Sequence, residues 1–142
     1  MKLTAAQVKG RIKSLSSKEG TDARILLRIF MMEHFLERLS KSEYSDKFII
    51  KGGILVTSLL GIQHRYTMDI DASVSGFKLN SQEIEKIVNQ VASIDIDDDI
   101  TFRIESIADI MDEMEYPGIR VSLTGIHDQI KCPSNLMFQL EI

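Results

Sequence analysis

A glycine pair and an alternating pair of aspartates constrain this chain more than any other stretch. An apolar run over residues 47–50 leads into Lys51-Gly52-Gly53, and a polar connection then leads to Asp69-Ile70-Asp71. A short apolar run that ends in glycine predicts a buried strand followed by a tight turn into a helix. Positions i and i+2 of a strand share a face, so Asp69 and Asp71 are expected to project together.

These two features suit a site for phosphate groups and a divalent cation. Gly52 and Gly53 would let backbone N–H groups at the start of a helix approach a phosphate. Mg²⁺ prefers oxygen ligands and is commonly held by one or two protein carboxylates, so Asp69 and Asp71 are the candidate metal ligands for Mg²⁺ or Mn²⁺. The alternatives are a tight turn that needs glycine without any ligand, and a solvated strand end.

The residues that flank these features are candidates for the same site. Lys51 either neutralises phosphate charge or only flanks the turn, and the sequence leaves both open. Arg65 has a planar guanidinium that can grip a phosphate, or it forms a salt bridge that positions the aspartates. Thr67 is a candidate hydrogen-bonding partner of the metal's ligands or of the loop backbone.

A second Asp-x-Asp pattern serves as an internal comparison. It lies in the run Asp95-Ile96-Asp97-Asp98-Asp99, which has no glycine turn before it. A run of like charges is usually solvated, so we predict an exposed acidic loop here.

Composition predicts one globular domain in a reducing compartment. The 142 residues are 44% hydrophobic and carry a net charge of −4, so a polynucleotide substrate would need a local basic patch. The single cysteine, Cys132, permits no intrachain disulfide, and no histidine-rich motif supports a nucleophilic role for it. No stretch approaches the about 18 apolar residues of a membrane span, and the N-terminus does not resemble a signal peptide. We therefore expect a cytoplasmic protein without membrane association.

Two helices are predicted before the glycine motif. Residues 3–16 show helical spacing and are followed by a polar break at 16–20. Thr21 or Asp22 is expected to cap the second helix. The apolar stripe of that helix is expected to contain Ile25, Ile29, Met32, Leu36 and Leu39. Arg38 is expected to lie off this stripe.

The rest of the chain predicts a sheet with further helices. Helices are expected at residues 54–60 and after Asn80, with Glu83 as partner of that cap. Alternating or short apolar runs predict strands at residues 47–50, 68–74, 100–107, 119–124 and 136–142. This order predicts an α/β (α+β) fold in which a mixed sheet is flanked by helices.

The combined motif resembles the AbiEii/AbiGii toxin family of the nucleotidyltransferase superfamily, found in bacterial toxin–antitoxin and phage-defence (abortive infection) systems. That family has an apolar strand ending in Lys-Gly-Gly, a helix, and then Arg-x-Ser/Thr-x-Asp-Ile-Asp, which residues 48–53 and 65–71 match. The resemblance extends less sharply from about Thr21 to the last residue. It implies a single nucleotidyltransferase-like domain over 1–142, with N-terminal helices at about 3–40 and a catalytic-type core at about 47–142.

The resemblance also implies an activity and partners. Family members use a metal ion to transfer a nucleotide from a nucleoside triphosphate to RNA, such as a tRNA 3′ end, or to a protein. A third carboxylate usually completes the site as general base or second metal ligand. Glu141 holds the matching position in the run 138–142, with glutamate where the family has aspartate. A cognate antitoxin is the implied protein partner.

Full members of the family continue into a mostly helical C-terminal half, and we expect this half to be missing here. The chain is therefore expected to be a natural short member, a remnant of a longer gene, or a fragment. The alternative function is a non-catalytic module of the same fold that binds nucleotide or the antitoxin. Association with a second copy or with another chain, which would cover an exposed sheet edge, is a further expectation.

Overall fold

The computed structural model describes residues 2–51, 69–75, 80–110 and 118–140. Within these ranges it contains three helices and a five-stranded sheet, which confirms the predicted α+β architecture. The helices are α1 (Ala5–Glu19), α2 (Ala23–Ser40) and α3 (Ser81–Ala92). The strands are β1 (Phe48–Lys51), β2 (Asp69–Val74), β3 (Thr101–Ile110), β4 (Gly118–His127) and β5 (Ile130–Leu140). The predicted glycine turn and the helix at 54–60 lie outside the described residues.

The first two helices begin and end at capping residues. Thr4 and Gln7 form a reciprocal capping box at the start of α1, and Gly20 ends that helix with φ +70°. The predicted polar break at 16–20 is therefore wrong, because residues 16–19 continue the helix as far as the glycine. The Asp22 carboxylate accepts a hydrogen bond from the Arg24 backbone N–H at 2.8 Å, and α2 starts at the next residue after this cap.

The buried face of α2 differs from the predicted stripe. Of the five residues expected there, only Met32 is fully buried, and the other four are half-buried. The fully buried residues are Leu26, Met31, Met32, Phe35 and Arg38. The sequence pattern placed Arg38 off the apolar stripe, but its side chain is only 1% exposed, and polar partners inside the protein accept hydrogen bonds from its Nη1 and Nη2 atoms.

Arg38 and Asp98 form a bidentate ion pair that links α2 to the loop before β3. The Arg38 Nη1 and Nη2 atoms donate to the two Asp98 carboxylate oxygens at 2.8 and 2.7 Å. Nη2 also donates to the Ile100 carbonyl at 2.7 Å, and the guanidinium lies 5.0 Å from the Phe102 ring centroid. His34 Nδ1 lies 2.9 Å from the same carboxylate. The prediction of a fully solvated acidic loop is thus wrong for Asp98, whose side chain is 11% exposed.

The sheet has the strand order β1-β2-β5-β4-β3. The pairing of β2 with β5 is parallel, and the other three pairings are antiparallel. β5 begins at Ile130, earlier than the predicted strand at 136–142, because a tight turn joins it to β4. Asp128 takes φ +56° in that turn, and Pro133 pairs with Thr124 within the ladder.

The three helices contribute to one hydrophobic core on a single face of the sheet. Its strand residues include Ile70, Ala72 and Val74 of β2, Ile119, Val121 and Leu123 of β4, and Leu136 and Phe138 of β5. The predicted helix after Asn80 is confirmed as α3, with Asn80 as its cap, and its buried residues are Ile84, Ile87, Val88 and Val91. A Cβ on Gly125 would lie 2.8 Å from Met31 Sδ, so glycine lets α2 approach β4 closely. None of the helices described is long and apolar enough to cross a membrane.

We predict that the Arg38–Asp98 pair makes folding stability sensitive to acid. Burial acts to raise the pKa of Asp98, but hydrogen bonds from Arg38 and the Ile100 backbone, with the Arg38 charge, outweigh it and lower that pKa from 3.8 to about 2. The ionised Asp98 carboxylate therefore adds about 2 kcal/mol to the free energy of unfolding. This contribution is fully present above about pH 4 and is lost as the pH falls toward 2.

Asp98→Ala should lower the free energy of unfolding at pH 7 by about 3 to 5 kcal/mol, because it leaves the buried Arg38 charge unpaired. Urea unfolding at pH 7 and at pH 3 measures both effects. Asp46→Ala, in an exposed loop, is the control and should change stability by less than about 0.5 kcal/mol. Equal free energies of unfolding of the two variants at pH 7 would contradict a stabilising role for the Arg38–Asp98 pair.

Candidate metal and nucleotide site

The antiparallel pairing of β1 with β2 brings the two halves of the sequence motif together. Lys51, the last residue of β1, pairs with Asp71 of β2. Gly52-Gly53 follows Lys51 in the chain, so the strand that leads into the glycine pair ends beside the second aspartate. Residues distant in the sequence thus become neighbours in one ladder.

The alternation of β2 places Asp71 on the face of the sheet opposite the core. Ile70, Ala72 and Val74 are 2%, 3% and 1% exposed and belong to the core, whereas Asp71 is half-buried. The position of Asp69 lies two residues before Asp71, and such positions share a face of a strand. The predicted strand with two aspartates at alternate positions is therefore confirmed for β2.

Polar residues of β4 and β5 surround the aspartate positions. Asp69 and Asp71 pair in the parallel ladder with Asn135 and Met137 of β5. These in turn pair with Ser122 and Arg120 of β4. We refer to the half-exposed or exposed residues of this group as the polar face: Asp71, Ser122, Arg120, Asn135 and Met137.

Ser122 and Asn135 are in direct side-chain contact on the polar face. Ser122 Oγ donates a hydrogen bond to Asn135 Oδ1 at 2.9 Å, between residues that are register partners. Arg120 is exposed and forms no salt bridge with any residue in the described ranges. It lies two strands from Asp71, across Met137, so the face carries a cationic group near the acidic strand.

Sequence reasoning missed Arg120, Ser122 and Asn135. Alternation in the predicted strand at 119–124 was a signal that Arg120 and Ser122 share a face. Their closeness to the aspartates depends on the β2–β5–β4 register, which no local pattern reveals. Asn135 lay just outside the predicted strand at 136–142, so its place in a ladder was not foreseen.

Several residues predicted for the site lie outside the described ranges, and their roles stay predictions. These are Gly52, Gly53, Arg65, Thr67 and Glu141. Leu140, the last residue of β5, pairs with Val74, three rungs beyond Asp71 or about 10 Å along the strand.

The donor set at β2 fits a hard divalent cation. Two aspartates at alternate positions supply the oxygen ligands that Mg²⁺ or Mn²⁺ prefers, and Mg²⁺ needs only one or two protein carboxylates when phosphates and waters complete its shell. Across the described part of the chain, no group of three or more His, Cys, Asp or Glu side chains is arranged to hold a metal. With two candidate carboxylates, the predicted site would depend on phosphates and waters to complete the coordination of the cation.

We predict that Ile70 anchors the aspartate strand. Ile70→Ala should lower the free energy of unfolding by about 2 to 5 kcal/mol, because it leaves a cavity in the core behind β2. Urea unfolding measures the change. Ile49→Ala on the neighbouring strand is the matched control, since Ile49 is 50% exposed and its truncation should cost much less. Similar losses in both variants would contradict the assignment of the two faces.

Comparison with known proteins agrees with the motif and the fold. A family model described as "Nucleotidyl transferase AbiEii toxin, Type IV TA system" matches residues 34–139, which is more than half of the chain. The matched segment contains Lys51-Gly52-Gly53, the run from Arg65 to Asp71, and Asn135, and it ends just before Glu141. No curated protein matches the chain. On the evidence of the family match, this chain belongs to the AbiEii nucleotidyl transferase toxin family of type IV toxin–antitoxin systems.

Proposed function

We propose that this protein is a metal-dependent nucleotidyltransferase toxin that transfers a nucleotide from a nucleoside triphosphate to an acceptor hydroxyl. The observation that carries the proposal is the pairing of Lys51 with Asp71, which sets the strand leading into the glycine pair beside the aspartate strand. Membership of the AbiEii family supports the same reaction class. The acceptor is an RNA, of which a tRNA 3′ end is the leading candidate, or a protein.

Asp69 and Asp71 would hold Mg²⁺ or Mn²⁺ in this scheme. Such a cation, when bound, would neutralise phosphate charge and favour deprotonation of the attacking hydroxyl. Through that cation the two carboxylates would position the triphosphate for attack by the acceptor hydroxyl.

The other predicted residues bind the nucleotide or move a proton. Gly52 and Gly53 offer backbone N–H groups to the phosphates, and Lys51 and Arg65 balance their charge. Thr67 would hydrogen-bond either the ligands of the metal or the loop backbone. Glu141 accepts the proton of the acceptor hydroxyl as that oxygen attacks the α-phosphate in line and pyrophosphate leaves.

A cognate antitoxin would be the regulatory partner, because the family belongs to type IV toxin–antitoxin systems. A cytoplasmic location follows from this proposal, since both substrates and the partner would be encountered there. The free Cys132 is compatible with a reducing compartment.

We predict that nucleotide binding requires the β2 aspartates. With Mg²⁺ and the preferred nucleoside triphosphate at 100 times its dissociation constant, the protein should gain about 2.7 kcal/mol of stability. Thermal melts with each of the four nucleoside triphosphates measure this gain. Asp69→Asn/Asp71→Asn should abolish it, because the cation that bridges to the phosphates loses its ligands.

Asp95→Asn/Asp97→Asn is the matched control for that experiment. It removes an Asp-x-Asp pair with exposed side chains from the loop before β3 and should retain the full nucleotide effect. Equal stabilisation of the wild type and the β2 double variant would contradict the assigned metal ligands. The absence of any nucleotide effect in the wild type would instead favour a non-catalytic module that binds the antitoxin.

We predict that Glu141 acts in chemistry rather than in binding. Glu141→Gln should lower kcat for transfer of label from an α-³²P nucleoside triphosphate to RNA by about 100-fold or more, because a general base is lost. The nucleotide-dependent stabilisation should stay unchanged. Glu85→Gln, an exposed change on α3, is the control and should be fully active. An unchanged kcat in Glu141→Gln would exclude Glu141 as the general base.

A further inference from the structure

The first helix is basic in a chain that is acidic overall. Residues 1–18 contain five Lys or Arg residues and no Asp or Glu, whereas the whole chain has 17 basic and 21 acidic residues. Every carboxylate side chain of the protein therefore belongs to residues 19–142. Such a charge distribution repels a polyanion from most of the surface and attracts it to the N-terminal segment.

Four of these basic side chains are exposed on α1 and form no salt bridge to a residue that the structure describes. They are Lys9, Arg11, Lys13 and Lys18, and we call them the basic face of α1. Lys2 differs from them, because its Nζ lies 3.1 Å from the Asp97 carboxylate and 3.4 Å from the Asp99 carboxylate. The basic face is therefore open to an anionic ligand, whereas Lys2 pairs with the loop before β3.

The four cations form two rows along the helix. At 3.6 residues per turn, Lys9 and Lys13 lie on one flank, one turn apart. Arg11 and Lys18 lie on the other flank, two turns apart. The outward residues between the rows are mostly small, and include Ala6, Gly10, Ser14 and Ser17. A Cβ on Gly10 would meet no atom within 4 Å, so packing within the protein leaves this position open. A flexible polyanion can therefore approach the helix closely between two rows of positive charge.

The composition of this face favours phosphate groups over a protein surface. The centres of protein–protein interfaces are enriched in aromatic residues and depleted in lysine. The helix α1 has no aromatic residue, and three of the four cations of its basic face are lysines. Lys and Arg side chains donate to phosphate oxygens without reading bases, and bases find no aromatic stacking platform on such a helix. The expected ligand is therefore the backbone of a nucleic acid, bound without regard to its sequence.

We propose that the basic face of α1 is a docking surface for the phosphate backbone of RNA, the acceptor of nucleotide transfer. The identification of this RNA as the acceptor rests on the proposed function. The helix precedes residues 34–139, so the surface lies outside the segment that the family model matches. It is also separate from the polar face, where β2 and β5 carry the candidate cation site. Docking at α1 therefore contributes to RNA affinity and not to nucleotide binding.

The test is fluorescence anisotropy of two labelled probes, a single-stranded RNA of about 20 nucleotides and a tRNA, at about 50 to 200 mM KCl. Lys9→Gln/Lys13→Gln should raise the dissociation constant at the lowest salt concentration by about tenfold or more, because two phosphate contacts are lost. The slope of log affinity against log salt concentration should become shallower by about 0.7 for each lost contact. Lys41→Gln/Lys86→Gln is the matched control, since it removes two exposed lysines from elsewhere. The control should bind RNA nearly as the wild type does.

Melting curves show whether each variant is folded, and glutamine has nearly the helix propensity of lysine. If Lys9→Gln/Lys13→Gln fails to fold, Arg11→Gln/Lys18→Gln carries the test. Equal RNA affinity of the α1 variant and the control would overturn the docking surface and leave the proposed function standing. The absence of RNA binding by the wild type at low salt would also overturn it, and would favour an acidic protein partner at α1. Failure of the proposed function would instead appear as the absence of nucleotide-dependent stabilisation, which is measured without RNA.

Discussion

The parallel pairing of β2 with β5 joins the two parts of the sheet, and the candidate site is built across it. On one side of that pairing is the short antiparallel β1–β2 ladder, and on the other are the long strands β4 and β3. Ile70 and Ala72 of β2, with Leu136 and Phe138 of β5, pack into the core beneath it. The same register that buries these apolar side chains sets Asn135 and Met137 beside the aspartate positions. Side chains of a strand point alternately to the two faces of the sheet. The register that packs one set of side chains into the core therefore also determines which residues lie on the opposite face.

The chain contains two acidic motifs whose surroundings give them different properties. Asp98 is held by the buried guanidinium of Arg38, which satisfies both of its carboxylate oxygens and lowers its pKa. That carboxylate is committed to joining α2 to the loop before β3. Asp71 instead lies on the half-exposed face of a central strand, beside the end of β1. A carboxylate at a half-exposed strand position can take part in binding a cation, whereas one enclosed by an arginine contributes to stability.

Much of the fold was predictable because its signals are local. Asn80 and the α3 stripe, the β2 alternation and the order of the elements all follow from capping chemistry and periodicity within short segments. Three features were not predictable. The burial of Arg38 depends on Asp98, which is distant in the sequence. The early start of β5 depends on its hairpin with β4. The placement of Asn135 beside Asp69 depends on the parallel register between β2 and β5, two strands that are far apart in the sequence. Each of these is a long-range pairing, which local periodicity does not encode.

Paramagnetic broadening in ¹H–¹⁵N NMR spectra of the full chain would detect a divalent cation bound at the β2–β5 rungs. Substoichiometric Mn²⁺ broadens amide signals near the bound ion. If the cation binds at these rungs, broadening should be strongest for Asp69 to Ala72 and for Asn135 to Met137, while the loop from Asp95 to Asp99 should be little affected. Broadening centred on that loop, with sharp signals from β2 and β5, would contradict the account.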